Sequence, residues 1–393
     1  MPKGPFFDGD ALLSEAEKLA GSNDWGDDGF REAYDCFINS LNAEADLTPQ
    51  GVERTRSHLM KLLTGRLRLF ADRKTYPAIQ EEEVKAPIFL TGHGRSGTSY
   101  LYELLSIDPQ NHAPRHWQVW NPSPPPNHPD TDNAPQIAAG EHYIQFEGWQ
   151  DPDLRVKHDY SNLGSAEDLL IHDYSFVSKT FPFFWAAPSY GKWLAGADAA
   201  AAYRIERKFL QALQFGEKRN QWVLKTPVHM SQLSALWEEF PDARMIVNHR
   251  DPVKTLASMM GLLRGHRKQF GNPPPVLDRN FVVAYMEGAA RSAEDMMEKR
   301  ADPKVNATFV DVLYQDLEAD PLGQVEKIYT HHGLDLTDAV RDDIRDYVAK
   351  NRKGKFGAHK YSLAEVGLSV EEVRERFKRY TDHFDIPLEE SAS

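Results

Sequence analysis

Residues 89–105 read FLTGHGRSGTSYLYELL: an apolar run, a turn carrying three glycines, then a helical pattern. No other stretch restricts the fold as much. A short apolar run bounded by glycine predicts a buried strand. The following TSYLYELLSIDP predicts a helix that stops before Asp108-Pro109. A strand that turns through glycines into a helix aims backbone N–H groups and a helix N-terminus at one point, which suits an anion. The plain alternative is a structural turn, because GxGxxG alone is a weak signal.

Three phosphate readings compete for this loop. GHGRSG fits the dinucleotide fingerprint, which needs an acidic residue about 20 positions on to hold a ribose. The chain there reads QNHAPRHWQVWN, with no carboxylate. GHGRSGTS fits GxxxxGK[ST] except that Thr98 stands where the lysine belongs. The β- and γ-phosphates of a triphosphate would then lack their cation. The third reading is a phosphate donor without a triphosphate chain.

Two more strand–helix units follow, QWVLKTP with HMSQLSALWEEF and ARMIVNHR with DPVKTLASMMGLL, and ATFVDVLY predicts a further strand. Strands alternating with helices argue for a parallel sheet covered on both faces. The expected fold is α/β, a P-loop-type parallel sheet flanked by helices, with a helical N-terminal extension. ALLSEAEKLA, FREAYDCFINSLN and TPQGVERTRSHLMKLLTGRLRLFADR have helical spacing, so residues 1–80 are expected to pack as that extension on a main domain at 81–393. Helical periodicity returns in SAEDLLIHDYSFVSKTF and DAAAAYRIERKFLQALQF. Before both, NPSPPPNHPDTDNAP predicts an irregular surface loop of the kind that covers sites.

Composition narrows the partners. A net charge of −13 over 393 residues argues against a general nucleic-acid binder, although an acidic chain can carry a local basic pocket. One cysteine, Cys36, excludes an internal disulfide and any multi-cysteine metal site, which suits a reducing cytosol. No apolar run approaches the ~20 residues of a membrane span. MPKGPFFDGDALLSEAEK lacks the apolar core of a secretory signal. The expectation is a cytoplasmic protein with no transmembrane segment, no nucleic acid and no metal.

Motifs beyond the loop decide among its readings. GHGRSGTS after a strand, LKTPVH after a second and IVNHRDPVKTLASM after a third resemble the sulfotransferases that use 3′-phosphoadenosine 5′-phosphosulfate (PAPS). The resemblance runs over about residues 87–384 and is nearest the bacterial branch whose loop reads G-x-P-R-[ST]-G-T-[ST]. Here His93 and Gly94 replace x-Pro. It implies that Gly94, Arg95, Ser96, Gly97, Thr98 and Ser99 hold the 5′-phosphosulfate. Arg250 and, eight residues later, Ser258 would hold the 3′-phosphate. Arg352, Lys353 and Gly354, in NRKGKFGAHKYSLAEVGLS, would fold over the nucleotide; taken alone, that basic run reads as a solvated surface. The spent product would be 3′,5′-ADP (PAP).

Sulfuryl transfer needs cations on the transferred group and a base for the acceptor's proton. Lys225, twenty-five residues before Arg250, stands where the family carries its catalytic lysine, and Arg95 is the second candidate cation. For the base, the resemblance favours His158, which is followed by Glu167 and Asp168, over His229, two residues beyond Pro227. Gln118 stands where other sulfotransferases place a glutamate and cannot act as a base. The acceptor is expected to be a hydroxyl of a small molecule, aromatic or lipid-like. FPFFWAAPSYGKWL, with six aromatics in fourteen positions, is either its wall or core packing. Two alternatives stay open: a phosphate-loop small-molecule kinase, and a catalytically silent protein that binds PAP. A homo-oligomer is compatible with either.

Overall fold

The computed structural model describes residues 5–26, 29–148, 161–217, 221–270, 279–351 and 363–389. Contacts divide the chain into two compact units. One comprises Met1–Val84, Pro114–Arg219 and Leu263–Pro275; the other comprises Lys85–Ala113, Asn220–Leu262 and Val276–Ser393. This division differs from the one expected at residue 80, because the N-terminal helices share their unit with residues 114–219.

The second unit is built on a five-stranded sheet. Its strands are β1 (Ile88–Gly92), β2 (Asn111–His112), β3 (Gln221–Lys225), β4 (Arg244–His249) and β5 (Phe309–Leu313), in the order β2-β3-β1-β4-β5. All four pairings are parallel, as the alternation of strands and helices requires. Each strand presents alternate residues to opposite faces. Ile88 and Leu90 of β1 pack with Val223, Ile246, Val310 and Val312 under Leu101, Leu104 and Leu105 of the helix Thr98–Leu105. Val325 and Ile328 of the helix Pro321–His332 complete that layer. Phe89 faces the other way, with its ring centroid 5.2 Å from that of Phe240.

The first unit is helical. Phe30–Glu44 buries Phe30, Tyr34, Phe37 and Leu41, one stripe at helical spacing. Phe37 stacks on Phe181 with centroids 4.2 Å apart, and Trp185 lies 4.4 Å from Phe270. Phe181, Trp185 and Tyr190 are fully buried, so much of the aromatic run FPFFWAAPSYGKWL is core, while Phe183 and Trp193 are half-buried. The helical periodicity of SAEDLLIHDYSFVSKTF is broken: α-helix forms at Leu169–His172, continued by a 3-10 turn at Asp173–Ser175, and again at Thr180–Phe184, and Phe176 between them adopts a left-handed φ of 60°. The cause is local. Ser175 Oγ accepts from the Val177 N–H at 2.9 Å and Ser178 Oγ from the Thr180 N–H at 3.1 Å, so hydroxyls replace helical carbonyl acceptors.

Candidate functional site

Parallel strands deliver their C-terminal ends to one edge of a sheet, which is where open α/β sheets bind ligands. Here β1 ends at Gly92, β3 at Lys225, β4 just before Arg250 and β5 just before Tyr314. The register sets Gly92 beside Asn248 and Leu90 beside Lys225. Gly92 must be glycine: its φ is 141°, and a Cβ there would lie 2.3 Å from the Asn248 carbonyl oxygen. Past it the loop turns tightly, with the Ser96 N–H donating to the His93 carbonyl at 3.1 Å and Arg95 at φ 73°. Gly97, at φ 90°, then admits the ring of Tyr314, which a Cβ would meet at 2.9 Å. The helix Thr98–Leu105 begins at once.

The loop's polar groups are arranged for an anion. Ser96 is buried, and its Oγ has no hydrogen-bond partner among the described residues. Lys225 is 3% exposed, and its Nζ donates to Ser99 Oγ at 3.1 Å. A buried ammonium and a helix N-terminus thus converge on the first turn of Thr98–Leu105, and both favour negative charge there.

Arg250 and Ser258 are brought together through Arg95. Asp251 Oδ1 accepts from the Val253 N–H at 2.9 Å and starts the helix Pro252–Gln269. Its second turn carries Ser258. Arg95 Nε donates to Ser258 Oγ at 3.0 Å, and Arg250 Nη1 donates to the Arg95 carbonyl at 3.2 Å. Behind Arg250 the end of β4 is fixed by His249. Its Nε2 meets Asp311 and its Nδ1 the Tyr380 hydroxyl, both at 2.8 Å, while Arg300 forks onto Asp311 at 2.7 and 2.6 Å.

Other expected residues lie elsewhere. His158, the first candidate for the base, and Arg352, Lys353 and Gly354 are outside the described residues. Asp168 is buried beside His172 and Glu206, their ligand atoms within 4.8 Å of one another. His229 is 0% exposed, with its ring edge-on to Phe89 at 4.8 Å, so it faces core rather than an open site. Gln118 Oε1 accepts from the Arg115 N–H at 2.9 Å and caps a short helix.

Two residues of this edge carried no motif. The Arg250 guanidinium lies 3.8 Å over the ring of Tyr314, and Glu389 forks onto it at 2.7 and 2.9 Å. Tyr314 follows a strand end directly, the same signal that marks Lys225. Glu389 has no local signal at all.

His93, at the variable position of the loop, is packed edge-on against Phe377 and Tyr380 at 5.4 and 5.0 Å. Burial, and then the nearby His249, push its imidazole down to about 4 from 6.5. The unfolded imidazole takes a proton below 6.5 and the folded one only below about 4. In that window the unfolded state binds more protons, so stability is lost as pH falls. Relative to His93→Phe, the native protein should lose about 1.4 kcal/mol of unfolding free energy per pH unit across the window. Denaturant titrations at several pH values measure this. A difference that does not change with pH would show that His93 titrates alike folded and unfolded.

The model of the family described as "Sulfotransferase family" matches residues 87–338, more than half of the chain. The chain belongs to the sulfotransferase family. Among curated relatives, the omega-hydroxy-beta-dihydromenaquinone-9 sulfotransferases Stf3 of Mycobacterium bovis and Mycobacterium tuberculosis are each 25% identical over 314 residues, 75% of this chain and 74% of theirs. The crystal structure of sulfotransferase STF9 from Mycobacterium avium superposes with a TM-score of 0.86 at 27% identity, covering 97% of this chain and 98% of that one. Sulfotransferase STF1 from Mycobacterium tuberculosis H37Rv gives 0.80 at 31% identity, covering 96% and 99%. Membership fixes the reaction class of this sulfotransferase as PAPS-dependent sulfuryl transfer, and the kinase alternative falls. No helix among the described residues of the sulfotransferase is long and apolar enough to cross a membrane.

Proposed function

We propose that this sulfotransferase binds PAPS along the C-terminal edge of its sheet and passes the sulfuryl group to the hydroxyl of a lipid-like acceptor. The observation that carries the reading is the linkage of Arg250, Arg95 and Ser258 into one hydrogen-bonded group beside the loop. Backbone N–H groups over residues 94–99 and the Ser96 hydroxyl take the 5′-phosphosulfate. Arg250 and Ser258 take the 3′-phosphate, and Arg352, Lys353 and Gly354 close over the nucleotide. The acceptor oxygen attacks sulfur in line, the bond from sulfur to the 5′-phosphate oxygen breaks, and PAP leaves. Lys225 and Arg95 stabilise the charge that builds on the bridging and equatorial oxygens, and His158 takes the hydroxyl proton. The acceptor class rests on the named substrate of the mycobacterial relatives, a hydroxylated dihydromenaquinone.

The 3′-phosphate assignment has a direct test. Arg250→Ala should weaken PAP roughly 10–100-fold, the value of a charge-assisted contact, and leave adenosine 5′-phosphosulfate nearly unaffected because that nucleotide lacks the 3′-phosphate. Calorimetric titration of both ligands reads the difference. Equal losses for the two would remove Arg250 from the 3′-phosphate site.

A further inference from the structure

The guanidinium of Arg250 already carries an anion. Glu389 Oε1 accepts from Nε at 2.7 Å and Oε2 from Nη2 at 2.9 Å, a two-point fork. The main chain of the same residue is also held, its N–H donating to Asp251 Oδ2 at 2.9 Å. Residues 384–389 therefore return from the helix Val370–His383 onto the two residues that open the nucleotide motif. The return is anchored: Ile386 is buried, and its N–H bonds the Thr381 carbonyl at 2.9 Å. The Arg95 carbonyl takes one N–H of Nη1, and the Tyr314 ring covers one face. These contacts engage three of the five guanidinium N–H groups, and the Nε/Nη2 fork, which would hold a phosphate at two points, is the one Glu389 occupies.

We propose that Glu389 is an intramolecular stand-in for the nucleotide's 3′-phosphate, holding the Arg250 fork in the free enzyme and giving it up when PAPS or PAP binds. The inference rests on the reading of Arg250 as the 3′-phosphate ligand. A carboxylate and a phosphate offer the fork similarly spaced oxygens, and one pair of N–H groups cannot serve both. A phosphate monoester bears up to two charges against one on the carboxylate, which sets the direction of exchange. The Arg250 and Glu389 side chains are both 21% exposed, so solvent screens the pair and keeps it displaceable. The stand-in weakens every 3′-phosphorylated nucleotide by one common factor, PAP included, and leaves nucleotides without that phosphate untouched. It opposes retention of the product while keeping Arg250 oriented between turnovers.

The test is a binding cycle on the full chain, with PAP and adenosine 5′-monophosphate titrated calorimetrically into the native protein, Glu389→Gln, Arg250→Ala and the double variant. Glu389→Gln keeps the size of the side chain and removes its charge. It should tighten PAP roughly threefold to tenfold, leave the monophosphate unchanged, and have no effect on PAP in the Arg250→Ala background. Unchanged or weaker PAP binding by Glu389→Gln would overturn the proposal, as would a gain that persists without Arg250 or appears equally for the monophosphate. Failure of the underlying reading looks different: Arg250→Ala would then weaken both nucleotides alike, and the stand-in falls with it.

Discussion

Lys225→Met is expected to lower the rate constant for sulfuryl transfer by about 10²–10³-fold, the usual cost of one preorganised charge-stabilising group. Lys225 ends β3, and its Nζ sits 3.1 Å from Ser99 Oγ at the first turn of the helix after the loop. With 3% of the residue exposed, its charge acts in a poorly screened environment, where it is worth more than in water. Methionine keeps the unbranched apolar stem that packs near Tyr102, whose ring centroid is 5.6 Å from Nζ, so the strand end should survive. Rate measurements with PAPS and a panel of long-chain alcohols and quinols, paired with thermal shifts by PAP, separate catalysis from folding. Turnover within tenfold of native, with PAP binding intact, would remove Lys225 from the catalytic group. Native protein that binds PAP yet transfers nothing to any acceptor would revive the silent-binder alternative.

His158→Ala should cost about 10²–10⁴-fold in turnover, the range for a positioned general base, with PAP affinity nearly unchanged because a base touches the acceptor and no phosphate. A neutral imidazole is the active form, so the native rate should fall toward acid pH, and the variant's residual rate should lose that limb. His229→Ala is the matched control. Its ring is buried against Phe89, so the expected loss is roughly 1–3 kcal/mol of stability from a core truncation, with turnover per folded molecule retained. The reverse pattern, in which His158→Ala stays near native and folded His229→Ala is inactive, would assign the base to His229.

Four of the five strands were legible because each is a short, mostly apolar run separated from the next by a helical pattern; β2, the two polar residues Asn111 and His112, carries no such signal. Arg250 and Ser258 were singled out by the family resemblance; the Asp-Pro start of their helix marks where that helix begins and not what the two residues bind. Contacts that join distant segments left no such trace. Glu389 reaches Arg250 across 139 residues, and nothing in PLEESAS distinguishes its glutamates as partners of a phosphate site. The helix expected through SAEDLLIHDYSFVSKTF failed because periodicity does not register the competition of Ser175 and Ser178 hydroxyls for backbone N–H groups. Apolar spacing showed that the N-terminal helices bury one face. It could not say that Phe181 would stack on Phe37, since any aromatic cluster satisfies the same stripe.

The strand order has a consequence at the margins of the sheet. An open sheet exposes unpaired backbone groups along its two outer strands, the usual template for unwanted pairing between molecules. One outer strand, β2, is two residues long and offers almost nothing to pair with. The other, β5, spans five residues, but Lys327 Nζ donates to the Asp311 carbonyl on it at 2.7 Å. A second molecule approaching β5 meets a fixed ammonium where it needs a free acceptor, so sheet growth from chain to chain is opposed at the margin where it would otherwise begin.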